Sequence, residues 1–508
     1  MSRFPFKPIL ALALLLPLPS PARAQQAIDA AGADVIVQEA MKAWQVPGAA
    51  IAIVQGNDLV YDRGYGVKDL ASKEPVTADT LFACASTSKA FTATCIALLV
   101  EEGKMKWDDP VRKHVEYFRL SDPLAGQNVT LRDLVCHRTG LSRHDLLWLS
   151  TGWGREEIIR RIGHVPLTQP FRTTYQYQNI MYLTAGQAVG AASKSSWDDF
   201  VKQRIFNPLG MAGANTSVTA VLRAPDRATP HRKTAGMVEP VAWRNIDNVA
   251  PAGSVNAGVR DLSRWVRFQL GDGTFEGKRI LDGKLLQELH APQMVIPMDG
   301  PTGVSSFTRA MNPDTNQMSY AHGWTVQDYR GHLLVSHGGS IDGFRAQVAL
   351  LPRHHIGIIV LSNLGQTSFP EAVRNSLADH LLRLPKKDWN AHYQEQAAKN
   401  EANQKAADAK RDAARHKGTK PSRALAAYAG CYDDPAYGSA RVSEDNGTLT
   451  VAWHSAKAKL DHFHFDTFTA RFDQPVSTQQ LVFTLAADGE VAKLGFLGQE
   501  FKRVKEKK

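Results

Sequence analysis

Hydrophobic positions along this chain change their period several times, and each change marks an element. Ile28, Val35, Ile36, Ala40, Met41 and Trp44 recur at helical spacing and predict an amphipathic helix over residues 28–45, ended by Pro47-Gly48. Residues 49–55 and 59–66 read as two strands joined at Gly56-Asn57-Asp58, a hairpin signal. From Ser86 to Gly103, Phe91, Ile96, Ala97, Leu98, Leu99 and Val100 surround most of a helix. Such a helix belongs in a core, and Gly103 reads as its C-cap.

Residues 105–225 carry helical patterns with many turn breaks and form a helical subdomain inserted into a sheet domain. Thr130 with Asp133 marks one helix start, 181–192 is helical, and Gly253 to Leu262 is a turn into a helix beginning near Arg260-Asp261. Strand patterns return at 323–327, 333–340, 344–351 and 356–363, with punctuation that argues antiparallel neighbours. Over 386–420 the apolar stripe vanishes after Trp389 and Tyr393, which predicts a solvated helix or flexible linker. From Pro421 short β-like runs follow at 440–443, 449–453, 462–465, 480–485 and 491–497, an all-β sandwich or small barrel. The fold class is therefore α/β in the α+β sense: an antiparallel sheet flanked by helices, a helical subdomain, and a C-terminal all-β module. The boundaries fall at 1–24, 25–385, 386–420 and 421–508.

Composition narrows this picture. Residues 1–24 have the form of a secretory signal peptide, with Arg3 and Lys7, the apolar run Ile9 to Leu16, and Ala22-Arg23-Ala24 as the cleavage site. No later apolar run is long enough to span a bilayer, so the expectation is a periplasmic or secreted protein. The net charge of +10, which falls to +7 without Arg3, Lys7 and Arg23, is spread along the chain without a basic block, which argues against nucleic acid. Cys84, Cys95, Cys136 and Cys431 fit no zinc spacing and read as buried small hydrophobes, with a disulfide as the alternative. His462, His464 and Asp466 share one strand face, but without a fourth ligand they read as ordinary packing.

The chemistry starts at Ser86-Thr87-Ser88-Lys89. Serine and lysine three apart on a helix lie on one face, so an amine whose pKa is lowered by burial can take the hydroxyl proton. The helix N-terminus favours the negative oxygen that forms when serine attacks a carbonyl. A capping serine followed by a surface lysine gives the same letters, but this Ser-x-x-Lys occurs once and heads an apolar helix. Tyr177-Gln178-Asn179 lies in a loop before a helix, where its tyrosine and asparagine can point the same way.

Together with His337-Gly338-Gly339, these segments resemble the three ordered motifs of the serine β-lactamase and penicillin-binding-protein superfamily. The likeness is greatest to the class C β-lactamase-like branch, peptidase family S12. It covers about residues 30–385, with further likeness at His137 to Leu141 and Gly253 to Leu262; the C-terminal module resembles the lipocalin-like β-barrel of some S12-type enzymes. The resemblance implies a β-lactamase/transpeptidase-like fold and no cofactor or metal. It makes Ser86 the acyl-forming nucleophile, Lys89 its proton partner, and Tyr177 general base or acid, with Tyr175 a less favoured substitute. Asn179 would bond Lys89 and the substrate amide. His337, Gly338, Gly339 and Ser340 would bind substrate, and the N–H groups of Ser86 and Ser340 would form the oxyanion hole.

Penicillin-hydrolysing relatives carry Lys-Thr-Gly where this chain has His337-Gly338-Gly339, so recognition of a substrate carboxylate should be weak. Histidine there is known in D-aminopeptidases, D-peptidases and esterases of the group. The expectation is an exported serine hydrolase of amides or esters acting on a small molecule or peptide. The alternatives are a class C β-lactamase and a non-catalytic penicillin-binding-type envelope sensor; oligomeric state is not readable.

Overall fold

The structure, a computed structural model, describes residues 28–300, 304–473 and 475–505. The signal-peptide segment lies outside the described residues.

Helix α1 (Ala30–Trp44) is followed by the hairpin β1 (Gly48–Gln55) and β2 (Asp58–Gly66). After the helical region the chain adds β3 (Met294–Val295), β4 (Met318–Tyr320), β5 (Thr325–Tyr329), β6 (His332–Ile341), β7 (Phe344–Leu351) and β8 (Ile356–Ser362). They form one eight-stranded sheet in the order β2-β1-β8-β7-β6-β5-β4-β3, every pair antiparallel. Every residue of β8 and all but the last of β1 are buried, because helices cover both sheet faces and strands buried on both sides need no polar alternation.

One face packs on α4 (Val259–Leu270), against which α2 (Ser88–Glu101) lies through the stacked Phe91 and Trp265 rings, and α2 in turn packs on α3 (Asn179–Ser193); the other face packs on α1, α5 (Phe369–Leu381) and the start of α6 (Trp389–Ala413). Helix α2 is buried from Ser88 to Leu99, as its all-round apolar composition predicts. It begins later than the sequence suggests. Ala85–Thr87 is a 3-10 turn, because Ala85 sits at φ 47°, in the left-handed region, and puts Ser86 on a bend ahead of the regular helix. Likewise α4 starts at Val259, capped by Gly258, slightly before Arg260-Asp261.

The 386–420 region contains the solvated helix α6, of which only Trp389 and Tyr393 are buried. Of the two β-module architectures, the barrel is the one present: eight strands, β9 (Gly430–Asp434) through β16 (Gln499–Val504), close where Cys431 pairs with Val504. Buried Trp453, Tyr432, Phe468, Phe483, Phe496 and Phe501 form its core. The short β3 and β4 of the main sheet escaped the sequence pattern, as did three strands of the barrel, β9, Thr467–Arg471 and β16. The last, Gln-Glu-Phe-Lys-Arg-Val, buries only Phe501 and so carries little apolar signal.

All four cysteines are free. His462 Nε2 and the Phe465 carbonyl lie 2.8 Å apart, His464 Nδ1 accepts from the His416 N–H, and Asp466 accepts from Ser422 and Tyr428; these residues hold the segment before the barrel against one of its hairpins. Among the described residues no helix is long and apolar enough to cross a membrane.

Candidate active site

Ser86 is held by its neighbours on both sides. The Ser88 hydroxyl donates to the Ala85 carbonyl (2.7 Å) and accepts from the Val255 N–H (2.9 Å), pinning the turn to the segment before α4. On the other side a Cβ on Gly339 would lie 2.2 Å from the Cys84 carbonyl oxygen, so only glycine lets β6 approach this closely. β5 pairs with β6 only as far as Thr325 opposite Ser336, and His337 to Ile341 run beyond it. His337, Gly338, Gly339 and Ser340 line the cleft beside Ser86.

Lys89, the second residue of the buried helix α2, has its Nζ 3.1 Å from Ser86 Oγ. It donates to Asn179 Oδ1 (2.7 Å) and to the Ala252 carbonyl (2.8 Å). The Tyr177 and Tyr182 rings lie 4.7 and 5.4 Å from it. Burial holds its pKa well below the ordinary lysine range; Arg143 adds to the depression and Asp145 opposes it.

The orientation of Asn179 is set from behind, where its Nδ2 donates to Asp145 Oδ1 (2.9 Å). Asp145 also accepts from Trp148 Nε1 (2.9 Å) and Arg143 Nε (2.7 Å). Tyr177 is buried, with the Arg143 guanidinium 5.1 Å over its ring. Burial raises its phenol far above the usual range, while Arg143 and a hydrogen bond with Ser86 pull it back, so it is protonated at neutral pH. Tyr175 is also buried, but its hydroxyl has no partner among the described residues and its ring packs on His137, Tyr320 and Phe307. The contact with Ser86 belongs to Tyr177.

His337 is 4% exposed and both ring nitrogens are engaged: Nε2 with the Tyr320 hydroxyl (2.8 Å) and Nδ1 with the Gly338 carbonyl (2.7 Å). Burial first, then Lys89, lowers its pKa to about 3, so it is neutral at pH 7. Gly338 faces the other way, where a Cβ would meet the Gln347 amide at 2.9 Å.

The structure thus brings Ser86, Lys89, Tyr177, Asn179, His337, Gly338, Gly339 and Ser340 together, and adds Arg143, Asp145, Tyr320 and the Ala252 carbonyl. Those four carry no motif of their own, and a backbone carbonyl leaves no trace in composition. The only local signal was the position of Arg143 and Asp145 just after His137 to Leu141.

A cleft of about 840 Å³ opens beside Ser86, lined by Arg143, Asn179, Ser340 and, from the barrel, Phe472, Asp473 and Pro475. The barrel also grips the segment that carries Arg143 and Asp145. His144 Nδ1 lies 2.9 Å from the Tyr437 hydroxyl, Ser455 donates to the Ser150 carbonyl (3.3 Å), and the His454 ring stands edge-on to Trp153 (4.7 Å).

Comparison with known proteins decides the family. The beta-lactamase family model matches residues 33–383, more than half of the chain. The chain belongs to the beta-lactamase family. A second model, a domain of unknown function (DUF3471), matches residues 414–506, the barrel region. The unguisins hydrolase ungD of Aspergillus violaceofuscus is 30% identical over 471 residues, which cover 85% of this chain and 81% of that protein. Among solved structures, the octameric penicillin-binding protein homologue of Pyrococcus abyssi matches with a TM-score of 0.61 and 20% identity over 93% of this chain and all of that one. A class C beta-lactamase of Rhodobacter sphaeroides matches with a TM-score of 0.55 and 19% identity over 69% of this chain and 99% of its own. Family membership makes this protein a serine hydrolase with the fold of these neighbours.

Proposed function

We propose that this beta-lactamase-family hydrolase cleaves amide or ester bonds through an acyl-enzyme on Ser86. The observation that carries the reading is the hydrogen-bond arithmetic at Lys89. A neutral amine has two N–H bonds and one lone pair, and Asn179 Oδ1 and the Ala252 carbonyl are acceptors that claim both hydrogens. The lone pair is left facing Ser86 Oγ at 3.1 Å. Lys89 then takes the Ser86 proton as Oγ bonds the substrate carbonyl carbon, and the negative charge passes to the carbonyl oxygen. Collapse of that intermediate breaks the bond to the leaving nitrogen or oxygen, which takes a proton from Lys89 through the Tyr177 phenol. A water then repeats the sequence on the acyl-enzyme, giving up its proton to the same pair and releasing the acid and free Ser86. The N–H groups of Ser86 and Ser340 serve as the oxyanion donors in this reading.

The engaged, neutral His337 favours acyl groups without a recognised carboxylate and counts against a dedicated β-lactamase. The open cleft leaves room for a peptide or other extended acyl group. A relative named as the hydrolase of unguisins supports amide or ester chemistry outside the β-lactams. Residues 1–24 support export.

The test is a panel of nitrocefin, D-amino-acid amides and p-nitrophenyl esters with wild type and Ser86→Ala, and mass spectrometry after a fluorophosphonate probe. The expected result is turnover of amides or esters above nitrocefin and a probe adduct on Ser86. No adduct at saturating probe would support the envelope-sensor alternative; efficient turnover of nitrocefin alone would support the β-lactamase.

A further inference from the structure

We propose that His137 is the positioning residue that holds Tyr177 in register with Ser86 and Lys89. It stands in the His137 to Leu141 segment, just past the short helix Leu131–Val135, and is fully buried. The two peptide N–H groups that flank Tyr177 both end on it: Gln176 donates to its carbonyl oxygen (2.8 Å) and Gln178 to its ring Nδ1 (3.1 Å). Its ring also lies against the Tyr177 ring, centroids 4.4 Å apart. One residue therefore fixes the backbone on both sides of the phenol, its carbonyl holding Gln176 and its ring holding Gln178 and the plane of the phenol.

Making both bonds requires an unusual backbone. His137 adopts φ 57°, a left-handed conformation that costs strain in any residue with a Cβ. Accepting from Gln178 also selects one tautomer, with the proton on Nε2. That N–H has no conventional partner among the described residues; it is enclosed by the rings of Tyr175, Tyr182 and Tyr320, at 5.7, 5.1 and 4.7 Å, which suit an N–H to π contact. A protonated ring would set one N–H against another at Gln178. Burial, and with it the Arg143 guanidinium, keeps the ring neutral.

The inference rests on the reading of Ser86, Lys89 and Tyr177 given above. Its distinctive consequence concerns Lys89, whose amine is covered by the Tyr177 ring. Loosening Tyr177 lets water reach that amine and raises its pKa, whereas a residue important only for folding would leave the pH profile alone.

The test compares two full-length variants. His137→Asn keeps an acceptor near the Nδ1 position and tolerates the left-handed backbone; His137→Phe keeps a ring but accepts nothing. The expectation for H137N is kcat within about threefold of wild type, and for H137F a kcat loss of about tenfold or more with KM within about twofold, as small misplacements of catalytic groups produce. In H137F the acidic limb of kcat/KM moves to higher pH. If H137F does not fold, His137→Gly, which suits the left-handed backbone and lacks a ring acceptor, takes its place with the same expectation.

Wild-type kcat and acidic limb in the acceptor-free variant would overturn the proposal. So would a folded H137N as impaired as that variant. Ser86→Ala is measured alongside: residual turnover there would refute the nucleophile assignment itself, a separate failure.

Discussion

Replacing Asn179 with alanine tests the lone-pair argument where it is most exposed. The substitution removes the acceptor 2.7 Å from Lys89 Nζ and leaves the Ala252 carbonyl as its only acceptor besides Ser86 among the described residues. The buried amine then recovers its second hydrogen bond by rotating an N–H onto Ser86 Oγ, 3.1 Å away, which turns the lone pair from the proton it must receive. Returning to the productive orientation leaves a buried N–H unpartnered, a cost of about 1–3 kcal/mol, or roughly a 5- to 150-fold slower acylation. The assay is stopped-flow acylation by an activated ester, with thermal unfolding to show that α3 is intact. A folded Asn179→Ala protein that acylates at the wild-type rate would refute the account of Lys89 as a base oriented by two fixed acceptors.

Three further outcomes follow from other features. Because the Lys89 pKa is depressed by burial, kcat/KM should fall only as pH drops through that depressed value, with no phenol-linked loss near pH 9 because the Tyr177 pKa is raised; an acidic limb near pH 10 in a pH–rate profile would contradict this. His290, His322 and His337, with folded pKa values lowered to about 4, 3 and 3, stay neutral in the folded protein while the unfolded chain protonates below about 6.5, so stability falls with acidification, each histidine adding about 1.4 kcal/mol per pH unit once well below that value. Urea midpoints that stay level from pH 7 to pH 5 would show otherwise. Gly339→Ala should push β6 away from the Cys84 carbonyl, lowering stability by about 1–3 kcal/mol and activity by more than tenfold, measured by denaturation and probe labelling; an unaffected variant would mean that the close approach is not needed.

The sequence pattern and the three-dimensional arrangement agree where local chemistry decides the outcome. The capping box at Thr130 and Asp133, the β1–β2 hairpin and the long strands β5 to β8 follow directly from turn residues and hydrophobic period, whereas the short β3 and β4 at the sheet edge carry too few residues to show a period. Ser86, Lys89 and the Tyr177 to Asn179 loop were legible because the chemistry demands those residue types at those spacings. What escaped depends on tertiary position. Arg143 and Asp145 matter because their loop passes behind Asn179, and no spacing rule connects residues that far apart. His337 lines the cleft as expected, but both its ring nitrogens are engaged, with Tyr320 and with its own strand, which a reading of neighbours in sequence cannot reveal. The 3-10 turn at Ser86 depends on the strained backbone of Ala85, which an alanine gives no reason to expect.

The grip of the barrel on residues 144–153 bears on how such enzymes are rebuilt. Tyr437, His454 and Ser455 hold the outer side of a loop whose inner side orients Asn179, and Phe472 to Pro475 stand at the mouth of the cleft. A chimera that exchanges the carboxy-terminal module for that of another hydrolase would therefore alter the catalyst along with its accessory, so module shuffling in this architecture amounts to active-site engineering.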